Sequence, residues 1–192
     1  MWKHIINSLA MLVVMTILTG LIYPLAMTGL AQALFPRQAN GSLIINDGVV
    51  VGSSLIGQQF TKPEYFHGRP SAAGEDGYDA ADSAGSNLSA TSSKLTSSVA
   101  DRLAAVRSMN GLAKTDKIPA DAVLASGSGL DPHISPDYAS LQTARVAAAR
   151  GLTVDQVRRL VDEHTTGRLL GIIGEPRVNV LQLNLALDAL KK

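Results

Sequence analysis

Between Ser126 and Pro136 the chain reads Ser-Gly-Ser-Gly-Leu-Asp-Pro-His-Ile-Ser-Pro, and this run holds the residue types that nucleophilic catalysis uses. Ser126 or Ser128 could act as nucleophile, His133 as base and Asp131 as the group that orients the base. The spacing weighs against it. Three triad members in one loop rarely aim at one another in series, and a nucleophile elbow of the form G-x-S-x-G beside a strand is only loosely approximated. The same residues also make a structured loop, in which glycines permit positive φ, Asp131 and the serines bond backbone N–H groups, and prolines set the start of a helix. Such a helix N-terminus can receive an anion, but no Gly-Lys-Ser/Thr follows a glycine run, so nothing here supports independent nucleotide hydrolysis.

Other chemistry is less well supplied. The histidines, at 4, 67, 133 and 164, are far apart and form no His-x-x-x-His pair, and there is no cysteine. No metal site is therefore expected, and no disulfide or thiol nucleophile is available. Tyr65, Phe66, His67 and Arg69 form an aromatic and basic cluster before Pro70. Aromatics and arginine dominate binding hot spots, which makes Tyr65, Phe66 and Arg69 candidates for a partner interface; local core packing explains the same cluster equally well.

These residues must be positioned by the elements around them. Ser135-Pro136 is a helix start, with the hydroxyl as cap and proline at the first helical position, and the helix should run to Arg150 and stop at Gly151. Thr153 and Gln156 can form a capping box for a further helix whose inner face carries Val157, Leu160 and Val161. Another helix is expected from about Thr96 to Met109, with Asn110-Gly111 as its stop. Leu181, Leu183, Leu185 and Leu187 alternate as in a strand, while Leu, Gln and Ala favour helix; the reading adopted for 178–190 is a helix capped by Asn179. Near the start of the polar region, Ser42-Leu-Ile-Ile and Val49-Val-Val flank Asn46-Asp47-Gly48 and read as a β-hairpin. Ser71 to Ser98, rich in Ser, Ala, Gly and Asp, reads as loop, and such composition usually marks a linker.

From Ile5 to Phe35 the chain is uncharged and mostly apolar. About thirty helical residues reach about 45 Å, more than the roughly 30 Å hydrocarbon thickness of a bilayer. A cleaved signal peptide is the competing reading, but the run is long for one, and Ala31 and Ala33 sit inside apolar sequence. Pro24 is expected to kink this helix, and its Ser, Thr, Asn and Gln residues favour neighbouring helices as partners. The chain has 17 Lys+Arg, 16 Asp+Glu and a formal net charge of +1 over 192 residues. A near-neutral soluble part offers no general field for nucleic acid. The expected architecture is α+β: a membrane-spanning helix over 1–36, then one soluble domain of helices and short strands over 37–192. Lys3 before the helix and Arg37 after it favour a cytoplasmic N-terminus and an external main domain.

Several strings, taken in order, resemble one family, the C subunit of the Kdp-type ATP-driven potassium transporter. They are Tyr23-Pro24 in the apolar helix, GSSLIGQQF (Gly52 to Phe60), YFHGRPSA (Tyr65 to Ala72), SGSGLDPHISP (Ser126 to Pro136), ARVAAARG (Ala144 to Gly151) and GEPRVNVLQLNLALD (Gly174 to Asp188). The resemblance covers essentially the whole chain. It implies a single-pass, inner-membrane accessory subunit with no reaction and no cofactor of its own. Its implied partners are a potassium-selecting membrane subunit, a P-type ATP-hydrolysing subunit and a very small helical subunit, together taking up potassium. It also implies a catalytic-chaperone role, raising the ATP affinity of the hydrolysing subunit in a transient complex. Gln58 is the position matched to a glutamine proposed in the family to contact nucleotide, although a carboxamide equally caps a turn. Ser83-Ala84-Gly85-Ser86-Asn87 resembles a family Ser-Gly-Gly-Ser-Asn string from which Ala84 departs. The catalytic alternative is a membrane-tethered periplasmic hydrolase using Ser128 and His133, and the binding alternative is a solute-binding module. Ser126, Ser128, Asp131 and His133 are then candidate interface residues in the accessory reading.

Overall fold

A computed structural model describes residues 1–190. The chain forms two compact units, one from Met1 to Ser53 and one from Ser54 onward.

In the first unit, sequence that is apolar and uncharged beyond Lys3 and His4 folds as α1 (Trp2–Ile17), a π-helical turn (Leu18–Ile22) and α2 (Tyr23–Leu34). Together they form a continuous apolar helix of 33 residues with no buried face, long and apolar enough to cross a membrane. Just before Pro24, where a kink is expected, the helix carries this π-turn. Proline has no N–H to donate and its ring crowds the preceding turn, so the chain widens there and the Tyr23 N–H reaches back to the Leu18 carbonyl. A short α3 (Pro36–Ala39) follows, and the Asn40 side chain joins it to α2 through a carboxamide pair with Gln32 at 3.2 and 3.3 Å. The expected hairpin is β1 (Leu43–Asn46) paired antiparallel with β2 (Val49–Ser53). Its turn residues Asp47 and Gly48 both have positive φ, 49° and 79°, as a tight hairpin needs.

The second unit is α+β. Its helices are α4 (Ser93–Asn110), α5 (Pro136–Arg150), α6 (Val154–Glu163) and α7 (Val180–Ala189). Three very short strands, β3 (His133–Ile134), β4 (Thr165–Thr166) and β5 (Arg177–Asn179), make an antiparallel sheet in the order β3-β5-β4. Ile134 faces Val178 in register, and Thr165 faces Val178 from the other side. The core gathers Phe66, Ile134, Tyr138, Val146, Val157, Val178, Leu183 and Leu187 from loops, sheet and helices.

The helix ends follow local chemistry. Ser135 Oγ accepts from the Tyr138 N–H, Gly151 closes α5 at φ 68°, and Thr153 and Gln156 form both halves of the capping box. Asn179 Oδ1 accepts from the Gln182 N–H at 3.1 Å, so the leucine-rich run is a helix from the expected cap, while residues 177–179 just before it are strand. α4 starts at Ser93 rather than near Thr96, because Ser92 and not a later residue supplies the cap. The stretch 71–92 has no regular element, as composition suggests, but it is no free linker. Its Ser71, Tyr78 and Ser83 side chains bond the Gly129, Arg69 and Ser128 carbonyls elsewhere in the unit.

Candidate functional site

Parts of four strings singled out above, at Gly57, 69–71, 83–84 and 126–133, meet as loops in the second unit. Ser71 Oγ donates to the Gly129 carbonyl at 2.6 Å and accepts from the N–H groups of Ala73 and Tyr78 at 3.1 and 2.8 Å. One hydroxyl thus uses its proton and both lone pairs. Tyr78 Oη donates to the Arg69 carbonyl at 2.7 Å, the Gly57 N–H to the Leu130 carbonyl at 2.8 Å, and Ser83 Oγ to the Ser128 carbonyl at 2.9 Å. Close backbone approach requires glycine at two positions. A Cβ on Gly57 would lie 2.7 Å from both the Asp131 carbonyl oxygen and the Tyr78 ring, and one on Gly129, at φ 68°, would lie 2.6 Å from the Ala84 carbonyl oxygen.

At the centre, Arg69 Nη1 donates to Asp131 Oδ2 at 3.2 Å, and Asp131 Oδ1 accepts from the His133 backbone N–H at 3.0 Å and lies 3.3 Å from His133 Nδ1. Burial alone would raise the Asp131 carboxyl, but the hydrogen bonds from the His133 ring and backbone, with the charges of His133 and Arg69, hold it below the ordinary carboxylate value. Burial pushes the Tyr78 phenol up to about 12, so at neutral pH it stays protonated as the donor to Arg69. His67 is lowered, first by burial and further by the Arg145 charge, against a hydrogen bond to the Lys62 carbonyl that favours the charged ring.

Stability from Asp131 is present above the ordinary carboxylate range and is lost as pH falls through its lowered folded value; stability from neutral His67 is likewise present above the ordinary histidine range and lost on acidification. The second unit should therefore lose stability in two stages on acidification, the first beginning below about pH 6.5 and the second below about pH 4. Thermal melts in detergent across pH 3–8 check this, and His67→Phe should remove the first stage.

The serines do not complete a catalytic set. Ser128 Oγ accepts from the Leu130 N–H at 3.1 Å, Ser126 is buried with its N–H on the Pro70 carbonyl, and no hydrogen bond joins either side chain to His133. Asp131 is engaged by Arg69 and by its own turn. The geometry is that of an ordered loop that presents a surface, and not of an acyl-transfer centre. No group of three or more potential metal ligands occurs among the described residues. A cavity of about 310 Å³ opens beside these loops, lined among others by Phe60, His67, Arg69, Tyr78, Arg102 and Tyr138. Arg69, Asp131 and His133 also line a shallower cleft with Asp121, Glu175 and Arg177.

The aromatic cluster divides. Phe66 is wholly enclosed in the core, which gives it a packing role and leaves it no surface to offer. Tyr65 is half-exposed; its ring lies 5.4 Å from that of Phe60, the Arg150 guanidinium sits 4.8 Å over it, and its hydroxyl donates to Asp188 at 3.2 Å. Arg69 is the member that joins the Asp131 loop. Gln58 is half-buried next to Gly57.

Sequence reading missed the polar braces that hold this cluster. The Phe66 N–H donates to Asn184 Oδ1 at 2.8 Å while Asn184 Nδ2 donates to the Phe66 carbonyl at 2.9 Å. Gln142 does the same for His67, accepting from its N–H at 2.8 Å and donating to its carbonyl at 3.1 Å. Two carboxamides on α7 and α5 thus replace a neighbouring strand. Arg145 adds bonds to the Tyr65 carbonyl, Asn110 and Gln142. The available signal was an Asn among the leucines of α7 and a Gln on the buried face of α5.

The whole arrangement has relatives. Residues 5–189 match the family model described as KdpC, K+-transporting ATPase, c chain. A protein of Gemmatimonas aurantiaca named potassium-transporting ATPase KdpC subunit is 59% identical over 190 residues, covering 99% of this chain and 94% of that protein. Proteins with the same name from Mycobacterium bovis and Nitratidesulfovibrio vulgaris are 55% and 58% identical, covering 99% and 93% of this chain and 100% and 92% of their own lengths. With the match running from the apolar helix to the last helix and taking in every loop of the site, the chain belongs to the KdpC family, the c chains of K+-transporting ATPases.

Proposed function

We propose that this chain is a non-catalytic accessory subunit of a potassium-uptake pump, held in the inner membrane by its first helix with the amino terminus in the cytoplasm and the second unit outside. The observation that supports it is the pairing of an exposed apolar helix, Trp2–Leu34, with a folded unit whose serines, Asp131 and His133 are used to build loops. Its partners in this reading are the potassium-selecting membrane subunit, the P-type ATP-hydrolysing subunit and the small helical subunit. The external unit stabilises the assembly around the potassium entrance.

With this topology ATP bound in the cytoplasm does not meet Gln58. Any rise in the ATP affinity of the hydrolysing subunit then passes through the membrane-spanning partners, and the chain needs no cofactor of its own. A single helix forms no transport path, so function requires those partners.

The test is purification of a tagged full-length chain from membranes in mild detergent. Stoichiometric membrane subunits should accompany it, and Ser128→Ala with His133→Ala should leave their recovery within about twofold, since Ser128 Oγ is engaged by the Leu130 N–H and His133 Nδ1 by Asp131 inside the loop and neither is needed for a reaction. Recovery of the chain alone contradicts the reading and favours a solute-binding module. An esterase activity abolished by the double substitution favours the hydrolase.

A further inference from the structure

The cavity beside the site loops lies within the second unit, between the 59–78 segment, α4 and the first turn of α5. Its volume of about 310 Å³ equals roughly ten water molecules at about 30 Å³ each, the size of a small organic molecule. Phe60, Val106 and Met109 supply apolar wall, against which water is a poor filler.

The polar groups on its lining are unevenly matched. Tyr138 is only 4% exposed, yet its hydroxyl makes no hydrogen bond among the described residues. Burial pushes that phenol up to about 12, so at neutral pH it is a protonated donor without an acceptor. Arg102, half-buried on α4, gives Nη1 to the Val123 carbonyl at 3.0 Å and has no carboxylate partner among the described residues. Arg69 meets Asp131, but its Nε is buried without a hydrogen bond. Donors are thus left over on the inner wall, whereas the acceptors on the lining, Gln59, Thr61 and Asp76, belong to exposed residues that solvent reaches.

We propose that this cavity is a binding site for a small apolar monocarboxylate, whose carboxylate accepts from Arg102 and the Tyr138 hydroxyl and whose hydrocarbon lies against Phe60, Val106 and Met109. A planar carboxylate matches the guanidinium fork, and a mainly apolar body with a few fixed polar contacts is what such cavities hold. Asp76 sets the charge of the ligand. It lines the same cavity and forms no ion pair among the described residues, so a second negative charge is repelled, and dicarboxylates and phosphate monoesters fit less well. The site needs no partner subunit, so its failure leaves the accessory role untouched.

Calorimetric titration of the full-length chain in lipid nanodiscs with hydrocinnamate, corrected for empty nanodiscs, should give a Kd of about 1 mM or tighter, the range open to a ligand of about eleven non-hydrogen atoms. Hydrocinnamamide, the same shape without the charge, and phenylsuccinate, with a second carboxylate, should each bind at least about tenfold more weakly. Tyr138→Phe removes a hydroxyl that bonds nothing in the protein; it should weaken hydrocinnamate about tenfold while the melting temperature holds or rises. Ala105→Trp, at an exposed position of α4 that lines the cavity, should fill the space and abolish binding with the melting temperature kept within about 2 °C. No heat beyond that of empty nanodiscs up to about 10 mM hydrocinnamate, equal affinity for acid and amide, or unchanged affinity in Tyr138→Phe would overturn the site.

Discussion

Replacing Asn184 by leucine should destabilise the second unit by about 4 kcal/mol, because a side chain with the same branching but no hydrogen-bonding atoms leaves the Phe66 N–H and carbonyl buried without partners, at about 1–3 kcal/mol each. Asn184 is 1% exposed and Phe66 fully buried, so water cannot replace the lost bonds. The cost falls on the segment that carries Tyr65, His67 and Arg69, and the loop interactions of Arg69 should loosen with it. Urea unfolding of the full chain in detergent, followed by circular dichroism, measures the change. A loss below about 1 kcal/mol would mean that the carboxamide pair is not what holds this strand-like segment.

Gly129→Ala should cost about 3 kcal/mol, combining a left-handed backbone penalty of about 1 kcal/mol with overpacking of about 2 kcal/mol. The new methyl would approach the Ala84 carbonyl oxygen at 2.6 Å and the Ala73 backbone nitrogen at 2.8 Å, and backbone cannot swing aside as a flexible side chain can. The expected relief is detachment of the 71–92 stretch from the 126–131 loop. Limited proteolysis at Glu75, within that stretch, should accelerate at least tenfold in the variant, while the α5–α6 region keeps its resistance. Equal cleavage rates would contradict the close packing of these loops.

Local chemistry was legible from the residues. Ser135-Pro136, Thr153 with Gln156, Asn179, Gly111, Gly151 and Asp47-Gly48 act through neighbours a few positions away, and each forms the cap or turn it encodes. The two-residue strands β3 and β4 were not, because alternation needs more positions than they contain. Nor was the folding of 71–92, since its bonds run to partners such as Gly129 and Ser128, far off in sequence. At the site, four of the strings singled out come together, around Gly57, Arg69, Ser83 and Asp131, but their pairings could not be read in advance. Composition does not say that Asp131 would engage Arg69 rather than a serine–histidine relay, or that Phe66 would be enclosed while Tyr65 stays half-exposed. Those outcomes depend on which helix faces receive the loops, and the receiving groups, Asn184 and Gln142, look ordinary in sequence.

The central claim is that the first helix stays in the membrane and carries the unit from Ser54 onward on its outer side. A protease added to cells with only the outer compartment opened measures this directly, using a C-terminal tag and a probe for the N-terminal segment. The account predicts loss of the tag with survival of a small membrane-embedded fragment that begins at the original N-terminus. A tag protected until the inner membrane is breached, or a mature chain that starts after Phe35 and floats free of membranes, would contradict it.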